Sequence, residues 1–325
     1  MFTRLGDVMK LRDFVDSNFH HFNAGELKRC CHSGLEFIQS SGKLLVTIAG
    51  AMSTAEIGRT LAPLIRSGYI WGISTTGANL EEDIFKLVAR DSYHSISNWR
   101  ELSPGYDSEL AQKGLNRVTD TCIPEEEAIR KLESRLTKIW KDMDSKQDRL
   151  FPHEVIYKLV KSEGFNDLCE GRIEDSWVVA AAEQSLPIFV PGWEDSTTGN
   201  IFAAHCINGD ISNPHIIKSG TEYMIHLSNL YKVNDVDLGF FQIGGGIAGD
   251  FPICVVPMLN QDLQDSVPLW KWFAQISDST TSYGGYSGAP PQEKISWGKL
   301  DVQTPRFMIE SDATIVAPIF FSYLL

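Results

Sequence analysis

Leu44-Leu45-Val46-Thr47-Ile48-Ala49 is a run without polar alternation, set between Ser41-Gly42-Lys43 and Gly50-Ala51. A strand with one wet face alternates apolar and polar residues; a continuous run is buried on both faces, which requires a parallel sheet covered by helices on each side. Thr54 to Ser67 carries a helical pattern, Tyr69 to Ser74 forms a second apolar strand, and another helix begins near Asn79. Strand, helix, strand, helix is the order of an α/β fold, here a Rossmann-like, doubly wound, mostly parallel sheet with helices on both faces.

The remaining segments extend this pattern. Apolar residues at helical spacing between Leu11 and Ser40 predict two helices broken around Asn23-Ala24-Gly25. Tyr93 to Cys122 is polar and poorly periodic, so about 91–123 is expected to be an irregular insertion. Pro124-Glu125-Glu126-Glu127 then opens a long charged helix through an N-terminal proline and an acidic first turn. Helices are expected at Pro152 to Ser162, Glu174 to Ser185 and Thr221 to Leu230, with strands at Pro187 to Val190, Asp235 to Ile243 and Trp270 to Ile276. A last helix starts near Ala313. No repeat or low-complexity linker divides the chain, so one domain over residues 1–325 is expected.

The formal net charge of −13 argues against nucleic acid as a partner, because phosphates would be repelled. Six scattered cysteines, none in a Cys-x-x-Cys and none beside histidines at ligand spacing, read as reduced thiols and predict no metal. The opening Met-Phe-Thr-Arg-Leu-Gly-Asp lacks a signal-peptide apolar run, and Ile315 to Leu325 is interrupted by Pro318 and too short to cross a bilayer. A cytoplasmic protein without a membrane partner is expected.

Four stretches could carry chemistry. The strand ending at Ile243 runs into Gly244-Gly245-Gly246-Ile247-Ala248-Gly249, a Gly-x-Gly-x-x-Gly after a strand and before a helix that Pro252 would help to start. Such glycines let backbone N–H groups approach a pyrophosphate, although a glycine turn can equally serve tight packing, and Asp250 can be read as a helix N-cap. The next strand ends at Ser277-Asp278, where a carboxylate could accept ribose hydroxyls. Gly50-Ala51-Met52-Ser53-Thr54 and Ser74-Thr75-Thr76-Gly77-Ala78-Asn79-Leu80-Glu81-Glu82-Asp83 follow adjacent strands, where open α/β sheets bind ligands. Three consecutive acids could hold ammonium groups, or simply complement a helix dipole. Pro191 to Asn200, with Trp193, Glu194 and Asp195, reads as a binding loop.

The fourth stretch is Glu293-Lys294-Ile295-Ser296-Trp297-Gly298-Lys299, just after the flexible Tyr283-Gly284-Gly285-Tyr286-Ser287-Gly288-Ala289. An amine held beside an indole loses hydration, which favours its neutral, nucleophilic form; a surface lysine snorkelling past a packed tryptophan is the plainer alternative.

Taken in order, Thr75 to Asp83, Gly114-Leu115-Asn116-Arg117, Pro187 to Pro191 with Asp195, Gly244-Gly245-Gly246, Ser287-Gly288-Ala289, Ile295 to Lys299 and Ser311-Asp312-Ala313 resemble deoxyhypusine synthase and the homospermidine synthases derived from it. The resemblance runs from about residue 10 to the end. It implies an NAD-dependent enzyme that oxidises an amine, usually spermidine, and passes an aminobutyl group through a lysine imine to an acceptor amine, which in the family can be a protein lysine. Lys299 matches the imine-forming lysine, Trp297 the tryptophan beside the substrate and Glu293 an acid of that pocket. Thr76, Ala78, Glu81, Asp195, Gly246, Asp312 and Ala313 look like NAD-contacting positions. Gly50, Thr54, Gly77, Gly244, Gly245, Asp278 and Ser287 complete the expected cofactor set, and Glu82 looks like an amine holder. A homotetramer with active sites between paired subunits is also implied.

The departures from the family pattern concern the substrate. Asp250 stands where the family carries a histidine, Cys254 where it carries an asparagine, and Asn200 and Tyr286 where it carries polyamine-binding aspartates. An unpaired buried charge is costly, so a pocket changed in this way should take an amine with fewer or differently spaced charges. Asp250 could replace the histidine as a base, given a raised pKa. A homospermidine-type synthase using putrescine, an amine dehydrogenase and a catalytically silent NAD-binding protein stay open as alternatives.

Overall fold

The computed structural model describes residues 9–325. In chain order the strands are β1 (Lys43–Ile48), β2 (Ile70–Thr75), β3 (His94–Ser95), β4 (Leu115–Val118), β5 (Thr121–Pro124), β6 (Ile188–Phe189), β7 (Leu238–Ile243), β8 (Trp272–Ser277) and β9 (Arg306–Glu310). Six of them form one sheet in the order β6-β2-β1-β7-β8-β9, every neighbouring pair parallel. The chain starts in the middle at β1, builds outward through β2 and β6, then returns to β1's other side and builds outward again. Between β1 and β7 the direction of winding reverses, and the carboxyl ends of those two strands open a crevice of the kind in which such sheets bind ligands.

Burial on both faces accounts for the unbroken apolar runs. Phe240 and Phe241 are successive residues of β7 and point to opposite faces, and both are fully buried. Phe241 stacks on Phe320 of the helix Ala313–Leu324, with ring centroids 4.3 Å apart, and the nearby Trp272 stacks on Phe37 of the helix Phe22–Gln39. Phe240 stacks on Phe273 on the other face and meets Trp270, which packs against Tyr231 of the helix Gly220–Lys232. Among the described residues, no helix is long and apolar enough to cross a membrane.

Several expectations need correction. The stretch read as irregular contains an antiparallel sheet in the order β3-β5-β4 and the helix Pro104–Gln112, closed over Ile96, Leu110 and Cys122. Its strands are two to four residues long, too short to leave a periodic signal. The break between the first two helices falls after Asn18, not at Asn23. Asn23 lies in the first turn of the second helix, where its side chain clips β9 through Glu310 N and O. β9 itself escaped detection because it is an edge strand in which only Ile309 is buried. The glycine-rich helix begins at Gly246, so Asp250 is inside the helix Gly246–Ile253 and Pro252 near its end. The presumed binding loop becomes helical from Thr197, which puts Asn200 in the helix Thr197–Ile207.

Candidate active site

Two cavities meet at the carboxyl edge of the sheet. The first, about 770 Å³, opens over the ends of β1, β7, β8 and β9 and is lined by Gly50, Gly244, Asp278, Asp312 and Ala313 among others. Five expected cofactor positions, distant in sequence, therefore converge at the switch point. Gly50, Gly244 and Gly246 have φ of +64°, +70° and +56°, and a Cβ at Gly50 or Gly246 would meet nothing within 4 Å. Of the glycines lining this cavity, Gly50 leaves bare backbone facing open space, the surface a phosphate needs in order to approach closely.

The loop after β1 is held open by a buried asparagine. Asn79 Nδ2 donates to the carbonyls of Ile48, Ala49 and Gly50, and its Oδ1 accepts from Ser53 N. Thr76 caps the helix Gly77–Val88 through Asn79 N and donates from Oγ1 to Gly50 O. Gly77 packs against Ser196, where a Cβ would lie 2.6 Å from the serine Cβ. Thr76 thus braces the Gly50 loop, and none of Thr76, Gly77 and Ala78 lines the first cavity. Asp195 is an exposed turn residue whose N–H bonds Gly192 O, and it too lies outside that cavity.

Successive helix residues point about 100° apart, so the three acids of this helix do not converge on one ligand. Glu81 accepts from Thr197 N at 2.9 Å and Thr198 N at 2.7 Å, capping the next helix. Glu82 accepts from Thr54 Oγ1 at 2.6 Å. Asp83 accepts from Ser176 Oγ and Val178 N. Burial raises the pKa of all three, that of Asp83 to about 6. Each Glu81 oxygen is engaged in this capping, and Glu81 does not line the first cavity.

The second cavity, about 460 Å³, gathers Lys299, Trp297, Glu293, Asp250 and Tyr286, together with Cys254 and Lys294. Asn200 is elsewhere, lining a separate hollow beside Trp193, and Glu82 is likewise remote from the lysine. The run that carries the lysine is a helix end. Gly298, at φ +67°, follows the short helix Glu293–Ser296; its N–H bonds Ile295 O, and Lys299 N bonds Lys294 O, both at 3.0 Å. This pair of bonds is a Schellman turn, which needs glycine at its left-handed position and fixes where Lys299 leaves the helix. Lys299 is 6% exposed. Its Nζ lies 3.3 Å from Asp250 Oδ1, 5.7 Å from the Trp297 ring centroid and 5.8 Å from that of Tyr286.

Two buried glutamines support this wall. Gln242 of β7 and Gln275 of β8 are register partners. Tyr286 OH donates to Gln242 Oε1 at 2.9 Å, and Gln275 Nε2 donates to Ser287 O at 2.6 Å. Ser287 in turn packs on Gly245, where a Cβ would stand 2.2 Å from the serine Oγ. The same loop lines both cavities, Asp278 to Thr281 facing the first and Ser282 to Ala289 the second. The Gly245–Ser287 contact is the seam between them.

The sequence reading missed both glutamines, although each interrupts an apolar strand near its carboxyl end, Gln242 one residue and Gln275 two residues before the last. It also passed over Lys294, which is 3% exposed and bonds Gln275 Oε1 at 3.3 Å. Burial, reinforced by the nearby Lys299, pushes Lys294 down to about 8.

A paired lysine and carboxylate beside an indole, next to a glycine cradle, is an arrangement suited to covalent amine chemistry, and comparison with known proteins fixes its lineage. The family profile described as deoxyhypusine synthase matches residues 16–324. The chain belongs to the deoxyhypusine synthase family. A deoxyhypusine synthase-like protein of Cyanothece sp. is 27% identical over 328 residues, covering 98% of this chain and 80% of that one. A second of the same description from Nostoc punctiforme is 27% identical over 334 residues, with 99% and 82% covered. A crystal structure from Entamoeba histolytica, assigned provisionally as a deoxyhypusine synthase, shares the fold at TM-score 0.59 and 14% identity, covering 97% of this chain and 92% of the other. Family membership supports a transferase-type enzyme.

Proposed function

We propose that this member of the family is an NAD-dependent transferase that moves an alkylamine group from an amine donor to an acceptor amine through an imine on Lys299. The observation that carries the reading is the buried Lys299 amine, 3.3 Å from Asp250 and faced by two aromatic rings, one loop away from the glycine cradle. The cradle fits a dinucleotide: left-handed glycine backbone at Gly50 and Gly244 suits a pyrophosphate, and Asp278 and Asp312 at neighbouring strand ends suit ribose hydroxyls. Asp312 Oδ1 already caps the last helix through Thr314 N, so it is also a rigid group. NAD, when bound, takes up the hydride of the carbon bearing the donor amine and can return it after transfer.

The residues of the second cavity do the rest. Lys299 Nζ in its neutral form adds to the oxidised carbon, and its proton passes to Asp250 Oδ1. The donor nitrogen on that carbon leaves as the free amine, giving the Lys299 imine; the acceptor amine then displaces Lys299, and the lysine is regenerated. Trp297 and Tyr286 keep water from the imine carbon. Trp297 is 66% exposed at the rim, a side chain that a second copy would cover in the homotetramer implied by the family pattern.

Borohydride trapping tests the reading. With NAD and an amine panel containing spermidine and putrescine, a reduced adduct on Lys299 that is lost in Lys299→Ala supports it. NADH accumulation without an adduct would instead mark an amine dehydrogenase, and neither product across the panel would leave only cofactor binding.

A further inference from the structure

Lys294 is a second amine in the lysine cavity, unused by the chemistry above. The Schellman turn places it there: Lys294 and Lys299 occupy the two positions that this motif ordinarily fills with a hydrophobic contact. Its Nζ donates to two neutral acceptors, Gln275 Oε1 at 3.3 Å and Ala289 O at 3.5 Å, and lies 4.9 and 5.0 Å from the ring centroids of Phe273 and Tyr286. Those bonds are long for an ammonium, which forms its strongest hydrogen bonds to anionic oxygen. Lys299, by contrast, has the Asp250 carboxylate beside it.

The acids of the cavity sit at its mouth. Asp250 has a side chain 51% exposed, and Glu293 is exposed, whereas Lys294 is 3% exposed. The cavity is therefore cationic at its floor and acidic at its rim. A diamine laid into it would bring an ammonium against Lys294, a like-charge contact in a desolvated place. A molecule with opposite charges at its two ends has no such conflict.

We propose that the substrate is an amino carboxylate, a short alkyl chain with an ammonium at one end and a carboxylate at the other. The carboxylate pairs with Lys294 at the floor, and the ammonium lies against Asp250 and Glu293, next to Lys299. This rests on the reading above for the amine-binding role of the cavity and replaces the polyamine at its far end. A cavity of about 460 Å³ accommodates a four- or five-carbon chain.

Calorimetric titration of the full-length protein with NAD present, at pH 7, compares 5-aminopentanoate with putrescine, which carry a carboxylate or an ammonium on the same four-carbon spacer. The wild type should bind 5-aminopentanoate at least tenfold more tightly. Lys294→Met should lose that preference by tenfold or more and gain affinity for putrescine, while Lys294→Arg should keep the preference. Equal or tighter wild-type binding of putrescine, failure of both compounds to bind, or undiminished 5-aminopentanoate affinity in Lys294→Met overturns the proposal. An adduct on Lys299 with putrescine alone would sink the amino-carboxylate proposal and keep the imine chemistry. Lys294-dependent binding of 5-aminopentanoate with no NADH formed would do the reverse.

Discussion

The Lys299 amine and the Asp250 carboxylate, 49 residues apart in sequence, meet at 3.3 Å inside the mouth of one cavity. Asp250 reaches that point from inside the helix that follows the glycine turn, and Lys299 from the end of another helix.

In the proposed reaction, that contact makes Asp250 the proton acceptor for the lysine. Asp250→Asn keeps the shape and removes the base, so NAD binding should be unchanged while the rate of adduct formation on Lys299 falls by roughly 10²–10⁴-fold, the usual worth of a positioned general base. Single-turnover trapping measures it, and an unchanged rate would remove Asp250 from the chemistry.

The seam between the cavities gives a steric prediction. In Gly245→Ala the new methyl would stand 2.2 Å from Ser287 Oγ, and the Ser287 backbone, anchored to Gln275, cannot yield freely. Overpacking of this kind costs about 1–3 kcal/mol. Thermal denaturation should show a lowered Tm together with weakened NAD binding, and Ser287→Gly in the same chain should restore part of both.

Lys294 gives a prediction in pH. Its pKa is pushed from 10.5 down to about 8 by burial first and by Lys299 second, with Glu293 and Asp250 opposing. Between about 8 and 10.5 the unfolded chain holds more protons than the folded one, so this group's destabilisation is complete below pH 8 and fades as pH rises through that window. Lys294→Met should be more stable than the wild type at pH 7 by ~1–3 kcal/mol, and the difference should shrink by pH 10. Urea unfolding at the two pH values reads it directly; a gap that widens with pH contradicts the assignment.

What sequence could reveal here follows the physics of each element. β1, β2 and β7 announced themselves because burial on both faces removes the alternation of apolar and polar positions, and the glycine cradle could be read because strand ends and glycines determine it. β9 and the small antiparallel sheet were invisible because an edge strand and two-residue pairings bury too little to leave a pattern. In the lysine cavity, Lys299, Trp297, Glu293, Asp250 and Tyr286 were all anticipated and do come together. Glu81, Glu82 and Asn200, expected from the family pattern, line neither of the two cavities within the single chain. The helix directs consecutive acids to separate partners, and the helix Thr197–Ile207 carries Asn200 to a different hollow. Lys294 was missed because only the three-dimensional turn shows that it faces inward with Lys299.

That turn also separates two kinds of heritable change. The cradle is made of strand ends spread over the whole chain, so altering it means altering the sheet. Much of the charge pattern of the lysine cavity, by contrast, is written in the seven residues from Glu293 to Lys299, closed on themselves by two backbone bonds and attached to the sheet mainly through neutral glutamine. Such a unit can be rewritten almost alone, and a lineage could change what the lysine cavity accepts by editing it while the strand-end cradle stays as inherited.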